Sequence, residues 1–188
     1  MREIKSLKDI TVRELIELSK VKDVSTMEGI SKVMTIFYGK PDSLSLSEFL
    51  DRFTEIAKVV FEQPVLEPID HFEFNGVIYR AKSLDELTTK EFIDFDSLSR
   101  ENPIENLPTL LAIVFTDGNE DGSYVKRIQE RAERFLELDA LTAQNGMVFI
   151  QRLFVTSARN MLDCLKEVKP ARKAELLKML ESLGGAGN

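Results

Sequence analysis

The feature that most constrains the fold of this chain is a single Asn-Gly pair. Asn75-Gly76 lies between two short β-forming runs, His71 to Phe74 and Val77 to Arg80, in a chain whose other apolar residues recur at helical spacing. Asn-Gly between β-formers predicts a two-residue type I′ hairpin, because both turn positions need positive φ. In that register Phe74 faces Val77, Phe72 faces Tyr79 and Glu73 faces Ile78, giving one aromatic face and one mixed face. An isolated hairpin is marginal in water. Its aromatic face must therefore lie on a helix, on a third strand or on another subunit.

Elsewhere the pattern is helical. Thr11 and Glu14 form a capping box ahead of a stripe through Val12, Leu15, Ile16 and Leu18. A second helix over 25–38 takes Ser25 as its cap and Glu28 as its box residue, carries Met27, Ile30, Val33, Met34 and Phe37, and stops at Gly39. A third begins after Ser45 or Ser47, runs through Phe49, Leu50, Phe53, Ile56, Ala57, Val60 and Phe61, and ends before Pro64. After a turn at Ser83 to Leu87, Thr88 or Thr89 opens a helix to about Ser99. Further helices are expected over Pro103 to Phe115, Tyr124 to Leu138, Ala140 to Val168 and Ala171 to Leu183. The fold class is mainly α, a bundle of about seven to eight helices with one β-hairpin over about residues 71–81. The Pro64 to Pro68 connection suggests an N-terminal helical subdomain (1–63) and a hairpin plus helical core (64–183), or one domain over 1–183. Gly184 to Asn188 is too glycine-rich to hold structure unaided and is expected to be a flexible tail.

Composition narrows function. The 188 residues include one histidine, His71, one cysteine, Cys164, and no tryptophan. Acid-base chemistry, thiol nucleophiles and zinc sites draw mainly on His, Cys and clustered carboxylates. No catalytic, cofactor-binding or metal-ligating residues are expected, and the chain is read as a binding protein and not as an enzyme. A formal charge of -7 opposes contact with a phosphate backbone, so nucleic acid is disfavoured as a partner. Residues 126–173 are the exception, with ten Lys or Arg against six Asp or Glu. Head-to-tail contact between copies is therefore electrostatically possible. Cys164 has no partner for a disulfide within the chain and fits a packing role in a reducing compartment. Met1 to Lys8 lacks the apolar core of a signal peptide. The longest apolar stretch, Met147 to Leu165, is broken by Gln151, Arg152, Arg159 and Asn160, so no membrane span is expected.

Three motifs invite chemistry and are better read without it. Asp117-Gly-Asn-Glu-Asp-Gly122 matches the first half of a calcium loop, but position 12 is Ile128 where a bidentate carboxylate is needed. An ordinary solvated turn is the expectation. Asp94 and Asp96, two apart on a helix, point about 200° apart and do not converge. His71 has no nucleophile or second histidine at a catalytic spacing. Phe92, Phe95, Phe135, Phe149 and Phe154 are expected in the core.

In order along the chain come Asp9-Ile-Thr-Val-Arg-Glu-Leu15, Met34-Thr-Ile-Phe-Tyr-Gly39 and Leu46-Ser-Glu-Phe-Leu50. They are followed by Asn75-Gly-Val-Ile-Tyr79, Leu87-Thr-Thr-Lys-Glu-Phe-Ile-Asp-Phe-Asp96, Asn106-Leu-Pro-Thr-Leu-Leu-Ala-Ile-Val-Phe115 and the Tyr124 to Phe135 segment. Taken together these blocks resemble small proteins of the structural gene modules of tailed bacteriophages, particularly tail-assembly chaperones. The resemblance implies a helical protein that shields a tail protein during assembly or is built into the tail or neck. Its partners would be phage tail or neck proteins and further copies of itself, with no cofactor. Its place would be the host cytoplasm during assembly, or the virion. A chaperone must expose apolar surface for its client, and the hairpin face of Phe72, Phe74, Val77 and Tyr79, with the first helices, is the expected partner-binding surface. The alternative is a host-directed or regulatory helical binding protein.

Overall fold

A computed structural model describes residues 2–39, 44–61, 64–119 and 122–167, with 156–167 as backbone alone. The final helix and tail expected beyond Val168, and the side chain of Cys164, lie outside the described residues. The elements in order are α1 (Val12–Ser19), α2 (Met27–Tyr38), α3 (Leu46–Phe61), β1 (His71–Phe74), β2 (Val77–Ala81) and α4 (Thr89–Glu101). They continue with α5 (Leu107–Val114), β3 (Phe115–Thr116), α6 (Tyr124–Phe135) and α7 (Ala140–Glu167). The protein is mainly α with a small antiparallel sheet ordered β1-β2-β3.

Local chemistry sets most boundaries. Thr11 and Glu14 close the capping box of α1, and Thr88 and Glu91 do the same for α4. Ser45 and Glu48 exchange the same bonds ahead of α3. The cap of α2 is a correction: it is Thr26, whose hydroxyl accepts from the Gly29 N–H, and not Ser25. Ser25 donates its N–H and hydroxyl to the Asp23 carboxylate at 2.9 and 2.6 Å. That turn shifts the helix start by one residue.

The hairpin forms in the expected register, with Phe72 opposite Tyr79 and Phe74 opposite Val77. Asn75 and Gly76 take φ of 52° and 75°, as a type I′ turn demands. The third strand was not legible in the sequence, where Pro103 to Phe115 reads as one helix. Instead Asn102 to Asn106 form turns, with the Asn106 side chain donating to the Leu98 carbonyl, and Pro108 sits in the first turn of α5. At the other end the chain leaves the helix so that Phe115 and Thr116 pair with Ala81 and Arg80. The Lys82 N–H donates to the Val114 carbonyl at 2.8 Å. Phe115 and Thr116, one aromatic and one β-branched, suit a strand, and β2 offers the edge they pair with.

Within α5 every residue but Thr109 is buried, as expected of a helix apolar on all sides. It packs chiefly on α6. The inner face of the hairpin lies over these elements: the Phe72, Tyr79, Phe115 and Phe135 rings pack with centroids 4.9 to 5.6 Å apart. A second cluster joins Ile4, Leu7, Ile10, Leu18, Val33, Met34, Phe37 and Ile56 with Ala140. Backbone bonds tie the N-terminal helices to the α6–α7 connection, Val12 N–H to Leu138 C=O at 2.8 Å and Ala140 N–H to Ile10 C=O at 2.7 Å. The chain divides into compact units Met1–Ile150 and Gln151–Asn188.

Candidate interaction surface

Among the described residues, α3 carries three of the large apolar side chains left exposed, Leu46, Leu50 and Phe61. Leu46, Leu50, Phe53, Ala57 and Phe61 follow at spacings of four, three, four and four residues and so share one stripe of the helix. The core takes the neighbouring stripe: Ile56 is 1% exposed, Phe49 and Val60 are packed part-way against the same cluster, and Phe53, on the border of the two stripes, packs there too. The apolar arc of α3 is therefore wider than the core beneath it. Leu46 at 64% and Phe61 at 57% remain open to solvent, with Leu50 also exposed. The opposite side carries Glu48, Asp51, Glu55 and Lys58, which keeps the helix amphipathic about a surface it does not bury. Arg52 lies 5.6 Å from the centroid of the Tyr38 ring and helps hold α3 on α2.

The four hairpin residues expected to bind a partner do not form one open surface. Phe72 (7% exposed) and Tyr79 (1%) lie in the core, and Phe74 and Val77, nearer the turn, are half-buried. The sequence left three places for the aromatic face, and the structure selects two of them, the helices and a third strand. The outward face is instead His71, Glu73, Ile78 and Arg80, with Ile78 66% exposed.

The remaining motifs fall apart chemically. Asp117 accepts from Arg131 at 3.4 Å and lies 3.8 Å from Arg134. Two guanidiniums thus stand where a loop-bound cation would need carboxylates. Asp94 pairs with Lys90 and Asp96 with Arg100, so these two carboxylates do not converge. The Tyr124 hydroxyl also bonds Asp94; burial, then the Asp94 carboxylate, pushes the phenol far above its usual range. His71 is exposed, with Nδ1 2.7 Å from Asp70 Oδ1. No group of three or more His, Cys, Asp or Glu able to hold a metal ion occurs among the described residues. Nor is any helix among them long and apolar enough to cross a membrane.

Three buried charges were not legible in the sequence. Arg131 donates to the carbonyls of Ala112 and Phe115 at 2.9 and 3.0 Å and reaches Thr116 and Asp117, fastening α6 to the turn from α5 into β3. Its signal was its position, three residues after Ile128 and four before Phe135, on the apolar stripe itself. Lys82 meets Glu91 at 2.6 Å, joining the end of β2 to the start of α4. Burial opposes ionisation of Glu91, yet the Lys82 ammonium and the Thr88 N–H hold its carboxyl below the usual range.

The class of protein that the fold defines is a mainly α domain with a three-stranded antiparallel sheet. Comparison of the chain with family models, curated proteins and solved structures gives no match.

Proposed function

We propose that this chain is a non-enzymatic bacteriophage protein acting in tail assembly, or as a tail or neck component, through protein-protein contacts. The observation that supports this reading is the apolar stripe of α3, whose outer residues Leu46, Leu50 and Phe61 stay exposed while the helix is anchored by Ile56. Side chains of this size each contribute about 1.5 to 3 kcal/mol when taken fully out of water. A client tail protein that covers the stripe would gain this without rearranging the core. Partners are thus tail or neck proteins, and the place of action is the host cytoplasm during assembly, or the virion.

The test is co-expression with the tail gene products of the source genome, with complex mass read by light scattering. A defined complex with a tail protein is expected for the unaltered chain. The triple variant Leu46→Ser, Leu50→Ser, Phe61→Ser should keep the thermal transition and lose the complex. A complex that survives the triple variant, or a stoichiometric complex with a host enzyme alone, would overturn the reading.

A further inference from the structure

β1 is the outer strand of the sheet; α7 takes the same edge just before it, where the Ile69 N–H donates to the Asn145 carbonyl at 3.4 Å, and over His71 to Phe74 the edge has a defined backbone pattern. The Ala81 N–H donates to the Asp70 carbonyl at 2.7 Å, in line with the register that sets Phe72 opposite Tyr79 and Phe74 opposite Val77. Antiparallel bonding alternates along a strand. The backbone groups of Phe72 and Phe74 therefore turn toward β2, and those of His71 and Glu73 turn outward. Edge strands are commonly blunted by proline, lysine, a bulge or a covering element, because an open row of N–H and C=O groups templates further pairing. β1 carries neither proline nor lysine, and its pairing with β2 is continuous over all four residues.

The side chains on this edge select what can pair with it. In an antiparallel pairing of β1 with itself, only outward-facing residues can exchange bonds, so the two-fold axis passes through residue 71, 72 or 73. An axis through Glu73 sets carboxylate against carboxylate, and one through His71 sets imidazole against imidazole. An axis through Phe72 places His71 opposite Glu73 of the second copy, twice, on the exposed face, where a protonated imidazole and a carboxylate on facing residues attract. Asp70 lies 2.7 Å from His71 Nδ1, so Nε2 is the nitrogen that faces the incoming carboxylate, and it donates to it when the ring carries both protons.

We propose that two copies of this chain associate through β1, antiparallel about a two-fold axis at Phe72, to form one continuous sheet with His71 facing Glu73 across the junction. The inference uses the sheet alone and does not rest on the client of α3. Only two residues per strand exchange bonds, so the association belongs to the weak end of protein interfaces.

The experiment is hydrogen exchange on the full chain from about 1 to about 300 µM, a range suited to weak association, alongside sedimentation equilibrium. The His71 and Glu73 amides should slow at least tenfold as concentration rises, while the Phe72 amide, bonded within the hairpin, stays protected throughout. Glu73→Pro removes an outward N–H and no bond within the sheet, and should leave a folded monomer. Glu73→Lys should weaken the dimer at least tenfold. The double variant His71→Glu, Glu73→Lys restores opposite charges in the same register and should recover it. Exchange at His71 and Glu73 that is independent of concentration overturns the proposal, even if a dimer forms elsewhere. So does a monomer at the highest concentration, and a monomer that still captures a tail protein leaves the role of α3 standing.

Discussion

Lys82 Nζ lies 2.6 Å from Glu91 Oε1, with both side chains almost wholly withdrawn from solvent. The pair bridges β2 and α4, and Glu91 also accepts the Thr88 N–H and hydroxyl at 2.9 and 3.0 Å. Lys82→Met leaves a buried carboxylate with only its capping donors and should cost about 3 to 5 kcal/mol. Glu91→Gln keeps the cap but strands the ammonium and should cost a similar amount. In urea unfolding, the combination of both substitutions should be far less harmful than the sum. Strict additivity would show that the pair is not coupled.

Gly29 is required by a close approach and not by its φ. A Cβ built there would stand 1.7 Å from the Asp23 carbonyl oxygen, a backbone atom that cannot swing aside. Gly29→Ala should therefore destabilise by about 3 kcal/mol or more through displacement of the turn before α2. Gly146→Ala is the control. There the Cβ meets the Leu111 and Phe115 side chains at 3.1 to 3.3 Å, and a gain in helix propensity of about 1 kcal/mol offsets the crowding. Thermal melts of the two variants should differ clearly.

Arg131 holds two main-chain carbonyls at the point where α5 becomes β3. Arg131→Met orphans them and should cost about 3 kcal/mol. Arg131→Lys should rescue little, because an ammonium cannot span acceptors arranged for a planar guanidinium. The distinguishing measurement is hydrogen exchange at the Lys82 amide, which donates to Val114. Faster exchange there at a shared denaturant offset would place the damage at the helix-to-strand turn.

Glu86 is held by both Arg80 terminal nitrogens, at 3.0 and 2.7 Å, and by the Ser83 N–H at 2.8 Å. Chiefly through Arg80, its carboxyl is lowered from 4.5 to about 2. The folded value lies below the unfolded one, so its contribution to stability is complete above about pH 4.5 and is lost as pH falls toward 2. An NMR titration of the Glu86 carboxyl should show this low midpoint, moving upward in Arg80→Gln. Because the pair is exposed, added salt should shrink its contribution. A midpoint near 4.5 in the unaltered chain would refute the assignment.

The capping box at Thr11, the Asn75-Gly76 turn and the hairpin register were legible because each depends on chemistry within a few residues. The cap of α2 slipped by one residue because two competing local turns, one at Asp23 and one at Thr26, share the same hydroxyl-rich stretch. The burial of Phe72 and Tyr79 was not legible, for a different reason. Alternation along β1 and β2 identifies Phe72, Phe74, Val77 and Tyr79 as one face, but periodicity does not say whether a face meets its own chain or another. The apolar stripe of α3 was visible as periodicity too, and its exposure was not.

The sequence by itself determined the helical class, the hairpin and its register, and most helix starts. These follow from turn φ values, cap donors and acceptors, and the two periods of 3.6 and 2 residues. Tertiary structure alone decided that Phe115 and Thr116 leave their helix for β2, that Phe72 and Tyr79 are core, and that Arg131 and Lys82 are buried with partners. It also decided that α3 keeps Leu46, Leu50 and Phe61 outside. Each of these depends on which surface of a distant element is already occupied, a quantity set by packing across the molecule and absent from any local window.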